Sequence, residues 1–80
     1  MSETPAALLA DFVRSRRRYL KLSQVKLAQV SGVGLRFVRE LEQGKPTLQL
    51  DKVDQVLRVF GYQVGAVPVP RPTPDEVFNS

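Results

Sequence analysis

Arg36 and Arg39, set three residues apart in the stretch Leu35-Arg36-Phe37-Val38-Arg39-Glu40, carry the most specific chemistry this chain offers. An arginine fork can donate to the O6 and N7 acceptors of guanine together, Leu35 could pack against a thymine methyl, and Glu40 could accept from the amino group of cytosine. Lys26 and Lys45 offer a cruder attraction, toward phosphate of any sequence and screened by salt. Phe37 reads either as partial core or as a contact on the groove or phosphate side. Catalysis finds no foothold. With no cysteine and no histidine, the usual general bases and thiol nucleophiles are missing, and no imidazole or thiolate metal site can form. Nor is there a glycine loop to cradle phosphate or a carboxylate cluster to hold a metal. These residues point to a binding protein with no cofactor, and not to an enzyme.

Such side chains work only if a short helix presents them, and Ser23 to Gly44 supplies one. Ser23 suits an N-cap, and Gln24 to Val30 carry apolar Val25, Leu27, Ala28 and Val30. Gly32 falls where the chain must reverse, since glycine alone takes positive φ without steric cost. A second helix then runs from Leu35 to Gln43. Val38 and Leu41 face inward with Val33, while Arg36, Arg39, Glu40 and Gln43 point elsewhere, and Gly44 stops it. Ala28 is small where the two helices must approach. The whole reads as a helix-turn-helix, a shape that places the N-terminal side chains of its second helix in the major groove.

The spacing closely resembles the helix-turn-helix of phage-repressor-like regulators, the XRE family. The family's Gln, Leu-Ala pair, Gly-Val-Ser, apolar residue and Leu-Glu-x-Gly-Lys stand here as Gln24, Leu27-Ala28, Gly32-Val33-Gly34, Val38 and Leu41-Glu42-Gln43-Gly44-Lys45. Gly34 departs from the family's serine at the N-cap of the second helix, at an expected cost of a few tenths of a kcal/mol. The resemblance implies that Gln24 braces the phosphate backbone and often the recognition helix. It also implies that Arg17 and Glu42 form an ion pair joining the first helix to the end of the recognition helix. The fold it implies is all-α, of the five-helix phage-repressor type, with four helices predicted here.

Eighty residues make one small domain, which buries only about 60% of its unfolded surface and is marginal alone. Self-association is expected. The formal net charge is +4, and residues 1–45 hold nine Lys and Arg against four acids. The basic half is therefore the helix-turn-helix half, the footprint of a surface facing phosphate, although a run such as Arg16 to Arg18 can equally just solvate a helix face. No apolar run approaches the ~18 residues of a membrane span and no basic leader is present, so a cytoplasmic place, away from membranes, is expected.

Before the motif, Thr4 and Pro5 open a helix running to about Leu20, with Leu9, Val13 and Leu20 near one face. Phe12 completes the core or anchors another protein. After the motif, Leu48 and Leu50 bring the chain back onto the core. Val53, Val56, Leu57 and Phe60 recur at helical spacing over residues 51–60, and Gly61 ends that helix. The pattern then changes to alternation. Tyr62, Val64 and Ala66 alternate with Gln63, Gly65 and Val67, which predicts one strand. Its backbone groups need a partner, and the simplest is the same strand of a second copy, giving a homodimer. The chain thus divides into a DNA-binding domain at 1–61, a dimerising strand at 62–67 and a Pro-rich tail at 68–80.

A finer resemblance covers about residues 8 to 67. Arg36 to Thr47, Leu50-Asp51-Lys52-Val53 and a strand after Phe60-Gly61 resemble HipB-type antitoxins. Those proteins dimerise through a C-terminal strand, repress their own operon and neutralise a HipA-type kinase toxin. Two expectations follow: a DNA-binding autorepressor on a palindromic operator that also holds such a toxin, or a solitary or phage-derived repressor without one. A third is a protein-interaction module that has lost DNA binding.

Overall fold

The computed structural model describes residues 4–69, which form four helices: α1 (Pro5–Tyr19), α2 (Gln24–Ser31), α3 (Leu35–Glu42) and α4 (Leu50–Val59). Local chemistry sets their ends. The Thr4 hydroxyl accepts from the Ala7 N–H at 3.1 Å to open α1, and the Ser23 hydroxyl accepts from the Lys26 N–H at 3.0 Å to open α2. Each bond satisfies a donor that the first helical turn would leave unpaired. α2 ends at Gly32, whose φ of 82° makes the turn into α3.

α1 and α3 both end with the same pair of backbone bonds. Lys21 and Leu22 donate back to Arg18 and Arg17, each at 3.0 Å, while Gly44 and Lys45 donate back to Leu41 and Glu40 at 3.2 and 3.1 Å. This motif places its penultimate residue in the left-handed region. Gly44 takes that φ (80°) freely, whereas Lys21 takes it (59°) against its own Cβ. Gly44 also lies close to α1: a Cβ there would sit 3.9 Å from the Ala6 carbonyl and 4.0 Å from both the Ala7 Cα and the Ala10 Cβ.

α3 packs against both α1 and α2, and α2 against α4. Their facing sides meet in one core of Val13, Leu27, Ala28, Val33, Val38, Leu41, Val53, Val56 and Leu57. Each fully buried Val or Leu among them stabilises the fold by about 1.5–3 kcal/mol. Phe12 joins this core. Its ring meets Phe60 edge-on at 6.4 Å and Tyr62 at 4.7 Å, and the Arg16 guanidinium lies 5.4 Å from the centroids of both Phe12 and Tyr62. Arg16 also donates to the Tyr62 hydroxyl at 3.1 Å.

Three expectations need correction. Leu20 is 48% exposed, because it is the C-cap of α1, where the chain swings into the left-handed residue and off the inward face. Leu50 is 65% exposed, since the inward stripe of α4 begins only at Val53; Leu48 does pack on the core. The third concerns Tyr62 to Val67. Among the described residues no strand forms, so Tyr62, Gln63, Val64, Gly65, Ala66 and Val67 carry no regular secondary structure and no ladder. The described residues offer no second strand, and the segment's backbone turns inward instead. The Tyr62 N–H donates to the Leu57 carbonyl at 3.0 Å, and the Val64 N–H to the Asp54 carboxylate at 2.8 Å. Val64 packs against the core. The tail expected from residue 68 is described only as far as Val69, and its remainder lies outside the described residues.

Candidate nucleic-acid interface

α3 is strongly two-faced. Val38 and Leu41 are fully buried and Glu42 nearly so, while Arg36 and Arg39 are exposed on the other side. Leu35 and Phe37 fall between: both are partly buried and pack against the core, so much of each side chain is turned away from any ligand. Gly34 caps α3 without a side-chain bond, and the space where its Cβ would stand is empty.

What holds α3 in place is a buried carboxylate. Glu42, 4% exposed, receives Arg17 Nε on one oxygen at 2.6 Å and Arg17 Nη2 on the other at 3.0 Å. Gln24 Nε2 donates to the second oxygen at 3.1 Å. Arg17 Nη1 donates to the Leu22 carbonyl at 3.0 Å, and Arg14 Nη1 to the Glu42 carbonyl at 2.7 Å. Side chains from α1 and α2 thus converge on the last residue of α3. The bidentate bond to Glu42 raises the Arg17 pKa further above its ordinary range, against the opposing effect of burial. Arg17 therefore stays charged at every pH at which the protein folds.

A second cluster lies on the exposed side. Glu40 Oε2 faces Arg36 Nε at 3.4 Å and Lys45 Nζ at 3.3 Å. The structure thus groups Arg17, Gln24 and Glu42 in one network and Arg36, Glu40 and Lys45 in another. Arg39 and Lys26 are exposed on α3 and α2. Sequence reasoning missed Arg14. Its spacing from Asp11, with which it pairs on α1, was visible, but a bond to a carbonyl 28 residues away leaves no mark in the sequence.

Four helices among the described residues, with a short two-faced helix that follows a glycine turn, is locked at its far end and carries cations on its open side, define a DNA-binding regulator fold. The comparisons agree. The family model described as helix-turn-helix matches residues 13–66. An uncharacterized HTH-type transcriptional regulator, y4mF, of Sinorhizobium fredii (strain NBRC 101917 / NGR234) is 50% identical over 62 residues, which cover 78% of this chain and 80% of that protein. The chain belongs to the helix-turn-helix family of the XRE type and is a DNA-binding transcriptional regulator. Among the described residues no helix is long and apolar enough to cross a membrane.

Proposed function

We propose that this protein represses transcription as a two-fold dimer on a palindromic operator, α3 entering the major groove of each half-site. Arg36 and Arg39 read base edges, with Leu35 and Phe37 at the rim of that contact. Gln24, Lys26, Lys45 and the backbone at Gly34 face phosphates. The observation that carries this reading is the exposure of Arg36 and Arg39 on a helix whose opposite face is locked by Glu42. A mobility shift on the protein's own promoter, repeated at rising salt, tests it: a specific complex that outlasts binding to random duplex is expected. Equal loss of both overturns it.

Within that class, the Arg36 to Thr47 signature supports an autorepressing antitoxin of a type II toxin-antitoxin system that neutralises a HipA-type kinase toxin. The alternative, a solitary or phage-derived repressor, accords with the relative's printed name, which speaks only of transcriptional regulation. An adjacent kinase-like reading frame whose product co-purifies with this chain decides for the first, and its absence for the second. The dimer is supported by the alternating sequence of residues 62–67 and by the modest core of an 80-residue chain. The absence of Cys and His from the chain leaves the proposed activity independent of a thiolate or imidazole metal site.

A further inference from the structure

Glu40 stands on the face offered to DNA, yet it carries the charge that DNA repels. Its position explains what such a residue does there. One oxygen, Oε2, faces both Arg36 Nε at 3.4 Å and Lys45 Nζ at 3.3 Å. The Glu40 side chain is only 25% exposed and those of Arg36 and Lys45 are 91% and 45% exposed, so the carboxylate is the enclosed partner and the two cations reach it from solvent. Arg36 lies one helical turn before Glu40, and Lys45 just beyond the end of α3, so cations from both sides lean over a single carboxylate.

We infer that Glu40 is a positioning residue that sets sequence discrimination. It holds Arg36 and Lys45 over the α3 face and so weakens their pull on phosphate of arbitrary sequence. This rests on the reading that α3 enters the major groove. A lone phosphate must draw Arg36 or Lys45 away from a carboxylate they already have. A guanine edge in register meets the Arg36 fork where Glu40 already holds it, with two acceptors in the fork's own geometry. Non-specific binding therefore loses more than specific binding, and the ratio between them rises. Because each exposed pair is weak, the effect is modest: roughly three- to tenfold in non-specific affinity. A carboxylate already occupied by two cations is also a poor acceptor for cytosine, so this role replaces direct base reading by Glu40.

The test uses the full chain, a labelled random duplex and a duplex of its own promoter, with anisotropy followed across salt. Glu40→Gln is expected to tighten the random duplex by roughly three- to tenfold at low salt and to steepen its salt slope by about one unit. The promoter complex should change far less. Glu40→Asp keeps the charge but is a methylene too short to reach both cations, and it should behave like Glu40→Gln. A Glu40→Asp protein indistinguishable from wild type overturns the inference, because general repulsion would then explain Glu40. Affinity lost only on promoter variants altered at one cytosine also overturns it, in favour of base reading. If Arg36→Ala and Lys45→Ala bind every duplex as wild type does, the placement of α3 falls as well. If those two weaken binding but the Glu40 variants do nothing, this inference alone falls.

Discussion

Arg17 and Glu42, 25 residues apart, meet through both carboxylate oxygens, and Glu42 is almost wholly shut off from water. The pair's net value is small if both partners are exchanged for apolar groups, but removing one strands a buried charge. Glu42→Ala should cost roughly 3–5 kcal/mol, most of the stability of a domain this size. Arg17→Ala should cost about as much, and the double variant distinctly less than their sum. A thermal or denaturant double-mutant cycle without coupling would refute the bridge.

On DNA the two kinds of cation should separate. Arg36→Ala should lose about 1–3 kcal/mol on the operator and little on random duplex, whereas Lys45→Ala should weaken all sequences alike and shallow the salt slope by about one unit. Titrations of both duplexes at several salt concentrations measure this. Equal losses for Arg36→Ala on the two would remove it from the reading set.

Lys21 holds a conformation that suits glycine, with φ at 59°. Left-handed backbone costs an ordinary residue roughly 1–2 kcal/mol, and glycine returns part of that through unfolded-chain entropy of about 0.5–1 kcal/mol. Lys21→Gly should therefore raise the melting temperature by a few degrees. Gly34→Ser should add a few tenths of a kcal/mol by capping α3, in space that is already open. A fall in melting temperature for Lys21→Gly would mean that its side chain makes a compensating contact.

Asp54 predicts a dependence on pH. Its carboxylate accepts from Arg58 and from the Val64 N–H, and these bonds hold its pKa below the ordinary carboxylate range. A folded pKa below the unfolded value of about 3.9 stabilises the clasp fully above that value and loses it as pH falls through the lower, folded pKa. The Val64 amide resonance should titrate with a midpoint under that of a free aspartate. Asp54→Asn should abolish that titration and loosen residues 62–69 without melting the helices.

For the dimer, truncation after Gly61 should shift the protein toward monomer and cut operator affinity far more than random-duplex affinity, since half-sites lie about 34 Å apart. Light scattering at micromolar concentration checks it. A truncated chain that is still dimeric places the interface on the helices.

Much of this architecture is legible in the sequence, because its determinants are local. Thr4, Pro5, Ser23, Gly32 and Gly44 mark helix ends by their own conformational limits, and Val33, Val38 and Leu41 repeat at the spacing that buries them. What escaped was set by contacts distant in sequence or by residues in roles their type does not announce. Nothing in a lysine signals the left-handed turn at Lys21. Leu20 and Leu50 look like core from composition alone, yet each sits at a helix end that points it outward. The alternation of Tyr62 to Val67 announced a strand that does not form, because it says nothing of what the backbone would bond. That depended on an aspartate ten residues earlier, which reads as mere surface charge. For the site, the arginines were legible as exposed cations, while the double engagement of Glu40 required the fold.

A Cβ at Gly44 would meet Ala6, Ala7 and Ala10 only at ordinary van der Waals distance, so what this position demands is its φ of 80° and not empty space. Any other side chain there is strained by its own backbone, whatever the size of the α1 residues opposite. Relatives that keep this turn should therefore keep glycine, or at most asparagine, at this one place. The stop of the helix that carries Arg36 and Arg39 thus hangs on a single backbone angle, which leaves the facing side of α1 free to drift.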